Sequence, residues 1–136
     1  ALPVSGPMTK TEVVEEFAGD QLEIIARFNL HNASFCGMNV LSDKEGQGGL
    51  TVVWSGDVLN VDGVKIPIKE WNPGDPIDLH VFIDKKTVEF FVNGGKYCIS
   101  RQVREENVKG HYVALTSLGG TAKLLSLEAW KLASIN

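Results

Sequence analysis

The chain is poor in the side chains that most often carry metal binding or nucleophilic catalysis. It has two cysteines and three histidines among 136 residues. Cys36 and Cys98 form no C-x-x-C pair, and His31, His80 and His111 show neither the helical i, i+4 spacing nor a zinc-ligand spacing. No metal and no cofactor is expected from this set. Gly-x-Ser-x-Gly, the strained turn that exposes a hydrolase serine, is missing as well. Positive charge is in deficit: thirteen Lys and Arg against seventeen Asp and Glu leave a formal net charge of -4. A field of that sign repels the phosphates that dominate nucleic-acid affinity, which argues against nucleic acid as a partner. Long apolar runs are lacking too. Leu22 to Phe28 and Leu79 to Ile83 are either interrupted by charge or too short for the ~20 residues of a membrane helix. Nothing at Ala1 resembles a basic segment followed by an apolar one, so a processed product or a piece of a longer chain is expected.

What the chain does have is the balance of a folded protein, with 43% hydrophobic and 22% charged residues. Its length suits one domain over residues 1–136. Apolar and polar residues alternate through most of it, the mark of strands with one buried face. In Gln21 to Leu30, the side chains of Leu22, Ile24, Ala26, Phe28 and Leu30 share one face, and Glu23, Arg27 and Asn29 share the other. Further strands are expected at 35–41, 50–54, 58–61, 77–83, 88–92, 97–101, 112–116 and 122–130, separated by turn residues such as Ser55-Gly56-Asp57, Asn72-Pro73-Gly74-Asp75 and Asn93-Gly94-Gly95. Many short strands at this spacing imply an all-β sandwich or barrel. Short helical stretches are expected only near 101–107 and 10–16. Cys36 and Cys98 lie in strand-like runs, where a free thiol behaves as a small buried apolar group; a disulfide between them stays open.

The pair Leu79-His80-Val81-Phe82-Ile83 and Val88-Glu89-Phe90-Phe91-Val92 is separated by Asp84-Lys85-Lys86-Thr87. With Asp84 and Thr87 flanking the turn, Ile83 faces Val88, Val81 faces Phe90 and Leu79 faces Val92, all on one side. The other side then sets Phe82 beside Glu89 and His80 beside Phe91.

Hydrolysis of a glycoside needs two carboxylates at a defined separation in a cleft, and the nearest candidates, Asp84 and Glu89, read as a turn residue and an outward strand residue. Gly46-Gln47-Gly48-Gly49 runs into a strand, not a helix, and lacks the amide cluster that holds a phosphate. Asn32-Ala33-Ser34 meets the N-glycosylation pattern, with chance as its default explanation. Sugar binding asks for less: a ring to lie against the apolar face of a sugar and planar polar groups to fork onto its hydroxyls. Glu23, Arg27, Glu89, Asn93 and Arg101 are candidate forks. Among the rings, Trp130 reads as core, whereas Trp54 and Trp71, each beside a turn, are the expected stacking surfaces.

The stretch from Asp78 to Gly95, with Leu79, Phe82, Asp84, Val88-Glu89, Phe91, Asn93 and Gly95, resembles the hairpin "L-x-x-F-x-D-x-S-x-V-E-V-F-x-N-x-G" of the C-terminal β-sandwich in glycoside hydrolase family 32, the invertases, levanases and inulinases. Leu22 to Phe28 is similar to that family's "F-E-I-x-A-x-F" strand, Phe35 to Val40 to its "F-G-L-x-V" strand, and Gly119 to Ile135 to its last strand. Lys86 and Thr87 depart from the serine in the family's turn, and Asp62-Gly63 from its "D-R". The resemblance implies a two-layer antiparallel β-sandwich of the concanavalin-like jelly-roll type. It also implies an extracellular setting and a catalytic pair that resides on a separate β-propeller too large for this chain. Related sandwiches bind fructans, so the first expectation is a non-catalytic module for levan or inulin. Its site would use Glu23, Arg27, Glu89 and Asn93 as forks and Trp54 or Trp71 as the ring. The second expectation is an accessory domain that braces a catalytic propeller and has no ligand of its own. A stand-alone glycosidase ranks below both. Galectins share the sandwich, but His31-Asn32-Ala33-Ser34 and Trp71-Asn72-Pro73-Gly74 do not match their His-x-Asn-x-Arg and Trp-x-x-Glu runs.

Overall fold

The computed structural model describes residues 4–8, 12–19 and 21–132. Two six-stranded antiparallel sheets face each other across one core. The first holds, in spatial order, β1 (Val4–Met8), β12 (Ala122–Lys131), β3 (Gln21–Asn29), β8 (Ile77–Asp84), β9 (Thr87–Val92) and β10 (Tyr97–Gln102). The second holds β2 (Glu12–Ala18), β11 (Tyr112–Leu118), β4 (Phe35–Ser42), β5 (Leu50–Trp54), β6 (Val58–Val61) and β7 (Val64–Pro67). This is the expected two-layer sandwich.

Period-two alternation explains the layers. Along β3, Leu22, Ile24, Ala26 and Phe28 are buried while Ile25 and Arg27 are exposed. In β8 the buried set is Ile77, Leu79, Val81 and Ile83, and in β9 it is Val88, Phe90 and Val92. The β8–β9 hairpin pairs Ile83 with Val88, Val81 with Phe90 and Leu79 with Val92, the register expected from the sequence. Opposite them, from the second sheet, Met38, Val52, Trp54, Leu59 and Val61 complete the core. Fully burying a side chain of this size stabilises by ~1.5–3 kcal/mol, so a slip of one residue would expose the whole set.

Several local expectations are corrected. Residues 12–16 are not helical: they lie in β2, which pairs with β11 at the sheet edge, with Val14 turned into the core; Lys10 and Thr11 fall outside the described residues. β-Branched Val13 and Val14 favour extension once a partner strand is present. The stretch 101–107 ends β10 and then makes only a single 3-10 turn at Glu105–Asn107. β7 went unread because it is four residues long and ends in Pro67, a residue tolerated in a strand at an edge such as this. Trp130 is 38% exposed, not core. A bulge between Leu124 and Ser126 shifts the parity of β12, so Leu124 points inward, then Leu127 and Ala129, and Trp130 turns out opposite Glu23. Both cysteines are free; Cys36 is buried, and desolvation pushes its thiol up to about 12, whereas Cys98 is exposed.

Adjacent phenylalanines on β9 test this register. Phe90 is fully buried, so Phe90→Ala is expected to cost ~3–5 kcal/mol in urea unfolding. Phe91 is half-buried on the outer face, and Phe91→Ala should cost roughly 1 kcal/mol. Equal losses would contradict the two-faced strand.

Candidate functional site

Pairing of β3 with β8 sets Arg27 opposite Asp78 on the outer face of the first sheet. Arg27 Nε donates to Asp78 Oδ1 at 3.0 Å, and both side chains are 52% exposed. An ion pair so exposed contributes little stability, but it orients the guanidinium and leaves both terminal nitrogens for a ligand. Asn93 follows β9 with a left-handed φ of 51°, a conformation Asn tolerates. Its backbone N–H donates to the Asp78 carbonyl at 2.9 Å, and its Oδ1 accepts the Asp78 N–H at 3.0 Å. The Asn93 amide NH2 is what remains to face a ligand.

Trp71 is held by the loop before β8. Its Nε1 donates to the Asp75 carbonyl at 2.9 Å, the Asn72 N–H donates to Asp75 Oδ2 at 3.1 Å, and Asn29 Nδ2 ties the same loop to β3 through the Gly74 carbonyl at 3.1 Å. The ring stands edge-on to Trp54, with centroids 6.0 Å apart and planes at 89°. Gly56 lets it settle there: a Cβ at that position would lie 2.8 Å from Trp71 Cη2. Beside it, the Tyr97 hydroxyl donates to Glu70 Oε2 at 2.8 Å and accepts the Lys69 N–H at 3.2 Å. That donated bond, chiefly, holds the Glu70 carboxyl below its ordinary value. Arg27, Glu70, Trp71, Asp75, Asp78, Asn93 and Lys96 line a concavity of about 280 Å³. One ring flanked by planar polar groups of both signs is the set of parts that recognises a sugar.

A wider concavity of about 570 Å³ lies on the other side of the Arg27–Asp78 pair, lined also by Ile25, His80, Phe91, Gly94, Gly95 and Ser126. Next to it, His80 Nε2 and Glu23 Oε2 are 2.6 Å apart, and His80 stacks on Phe82 with centroids 4.6 Å apart.

Of the six residues chosen from the sequence, Arg27, Trp71 and Asn93 meet in one concavity. Trp54 does not: it is 1% exposed, points inward with Leu50 and Val52, and donates from Nε1 to the Gly56 carbonyl at 2.7 Å, so it cannot stack on a ligand. Its position beside a turn was the misleading sign; the alternation of β5 was the better one. Glu23 is taken up by His80, and Glu89 stands opposite Phe82 and Ser100, away from both concavities. Arg101, a further candidate fork, reaches Asp62 at 3.4 Å. Asp84 accepts from Gln21 Nε2 at 3.3 Å at the end of β8. Asn32 Oδ1 accepts the Thr121 N–H at 2.7 Å, tying its turn to the start of β12. Sequence reasoning missed Glu70, Asp75, Asp78 and Lys96. Asp78 carried a usable sign, an outward charge at the start of β8, but its partner became visible only with the β3–β8 pairing. Among the described residues no three His, Cys, Asp or Glu side chains are grouped to hold a metal ion, and no helix is long and apolar enough to cross a membrane.

The family model described as "Glycosyl hydrolases family 32 C terminal" matches residues 4–131. A fructan 6-exohydrolase of Triticum aestivum is 38% identical over 63 residues, which is 44% of this chain and 10% of that protein. Among solved structures, an exo-inulinase from Aspergillus awamori superposes with a TM-score of 0.69 at 18% identity, over 97% of this chain and 28% of that one. Fructan 1-exohydrolase IIa from Cichorium intybus gives 0.71 at 14% identity, over 98% of this chain and 35% of that one. At these identities the structures share the fold, and this chain spans only about a third of either enzyme or less.

The Tyr97–Glu70 bond makes a pH prediction. A carboxyl lowered in the folded state contributes stability that is present above its unfolded pKa and is lost as pH falls through the lower folded one. Tyr97→Phe removes the donor, so Glu70 should titrate closer to its ordinary value when its side-chain carbon is followed by NMR. An unchanged Glu70 titration in the variant would contradict the assignment.

Proposed function

The chain belongs to the C-terminal domains of glycosyl hydrolase family 32, and from that premise we propose that it is a non-catalytic module that binds β-fructans at the concavity of Arg27, Trp71 and Asn93. The observation that carries this reading is the meeting of a fixed tryptophan ring, a guanidinium ion-paired through its Nε and an amide in one concavity of about 280 Å³. A terminal fructose would lie against Trp71, with its hydroxyl pairs forked by Arg27 and Asn93. The two exohydrolases similar to this chain are named for fructan, and fructan is the ligand class carried over. An extracellular setting goes with the reading.

We assign no catalytic role to Glu70 in this concavity. A glycosidase acid needs a raised pKa, whereas Tyr97 pulls Glu70 down. Asp84 and Glu89, the carboxylate pair the sequence offers, line neither concavity. The bracing of a catalytic propeller is the second reading, favoured by Trp130 and Ile25, which expose apolar surface on the outer face of the first sheet at 38% and 36%.

Titration calorimetry separates the two. Binding to levan or inulin, weakened about tenfold or more in Trp71→Ala and in Arg27→Ala, with no reducing sugar released from sucrose or levan, is the expected result. The absence of heat with both polymers, together with self-association of the chain in solution, would favour bracing.

A further inference from the structure

We infer that the wider concavity beside the Arg27–Asp78 pair is a second sugar subsite, so that the ligand is an oligosaccharide bound across the outer face of the first sheet and not a lone terminal fructose. The inference rests on the fructan reading of the smaller concavity. Arg27 and Asp78 line both, so the two concavities adjoin at that ion pair. The wider part, about 570 Å³ against about 280 Å³, has the greater room.

The lining differs in kind. Neighbouring strands supply it in rows: Ser126 of β12 opposite Arg27 of β3, and Ile25 of β3, His80 of β8 and Phe91 of β9 side by side. Ile25 is exposed, and the His80 and Phe91 rings are 6.5 Å apart at 65°, so the floor is apolar and aromatic. The one arginine on this lining, Arg27, is already ion-paired with Asp78. The carbon-bound face of a sugar ring gains on that floor, while Arg27, Asp78 and Ser126 stand at the edge for its hydroxyls. The side wall is the turn Gly94-Gly95, both left-handed, and a Cβ at either would meet no atom within 4 Å. No side chain there intrudes on the groove.

The test is a ladder of fructo-oligosaccharides, from the disaccharide to the hexasaccharide, titrated calorimetrically against the wild-type chain, Phe91→Ala and Ile25→Ser, with the melting curve of each variant recorded. Wild-type affinity should climb about tenfold or more up the ladder, and both variants should flatten that climb. Trp71→Ala, in the other concavity, should weaken every rung by a similar factor. A wild-type affinity that does not change with chain length, or variants that keep the wild-type climb, would overturn the second subsite while leaving the first. Absence of binding at every rung by the wild type would overturn both.

Discussion

Antiparallel pairing of β3 with β8 sets Ile24 against Val81 inside the sandwich and Arg27 against Asp78 outside it. One register therefore closes the core and builds the wall that the two concavities share. The coupling is geometric: side chains in a strand alternate, so the inward sequence cannot shift by one without turning the outward sequence into the core. Free energy from burying Leu22, Ile24, Phe28, Leu79, Val81 and Phe90 holds the frame. The half-exposed ion pair adds little to stability, yet its position is strictly determined by that frame.

The site gains its rigidity from the same source. Asn93 is bound to Asp78 through both a backbone N–H and a side-chain oxygen, which locks the β9–β10 turn onto the start of β8. Trp71 is wedged against Trp54 and Gly56, and its loop is tied to β3 through Asn29. Under the proposed fructan reading, a ring and a guanidinium already in position would lose little freedom on binding a flexible oligosaccharide. Trp54 is buried, and its ring is the surface on which Trp71 rests.

How much of this could be read beforehand follows from what is local and what is not. The β8–β9 hairpin was legible to the residue because its alternation and its turn lie within one short stretch. The outward placement of Arg27 followed from the alternation of β3 alone. Trp130 was misread because a bulge in β12 changes parity, and nothing in the local pattern announces it. The edge strands β1 and β7 went unread and β2 read as a helix, because edge strands are short, charged or proline-bearing and depend on a partner strand for their form. Meeting of Arg27, Trp71 and Asn93 required non-local pairing across the sheet, so the sequence named these residues without showing that they converge.

Ile24 and Ile25 are neighbours in the chain on opposite faces of β3, fully buried and 36% exposed respectively. Their δ1 methyl signals, recorded by NMR while a fructo-oligosaccharide is added, test the central claim that one register makes both a core and a recognition surface. The account predicts that the Ile25 methyl shifts as the groove fills and that the Ile24 methyl stays in place. Equal shifts at both methyls, or a shift at Ile24 alone, would contradict it.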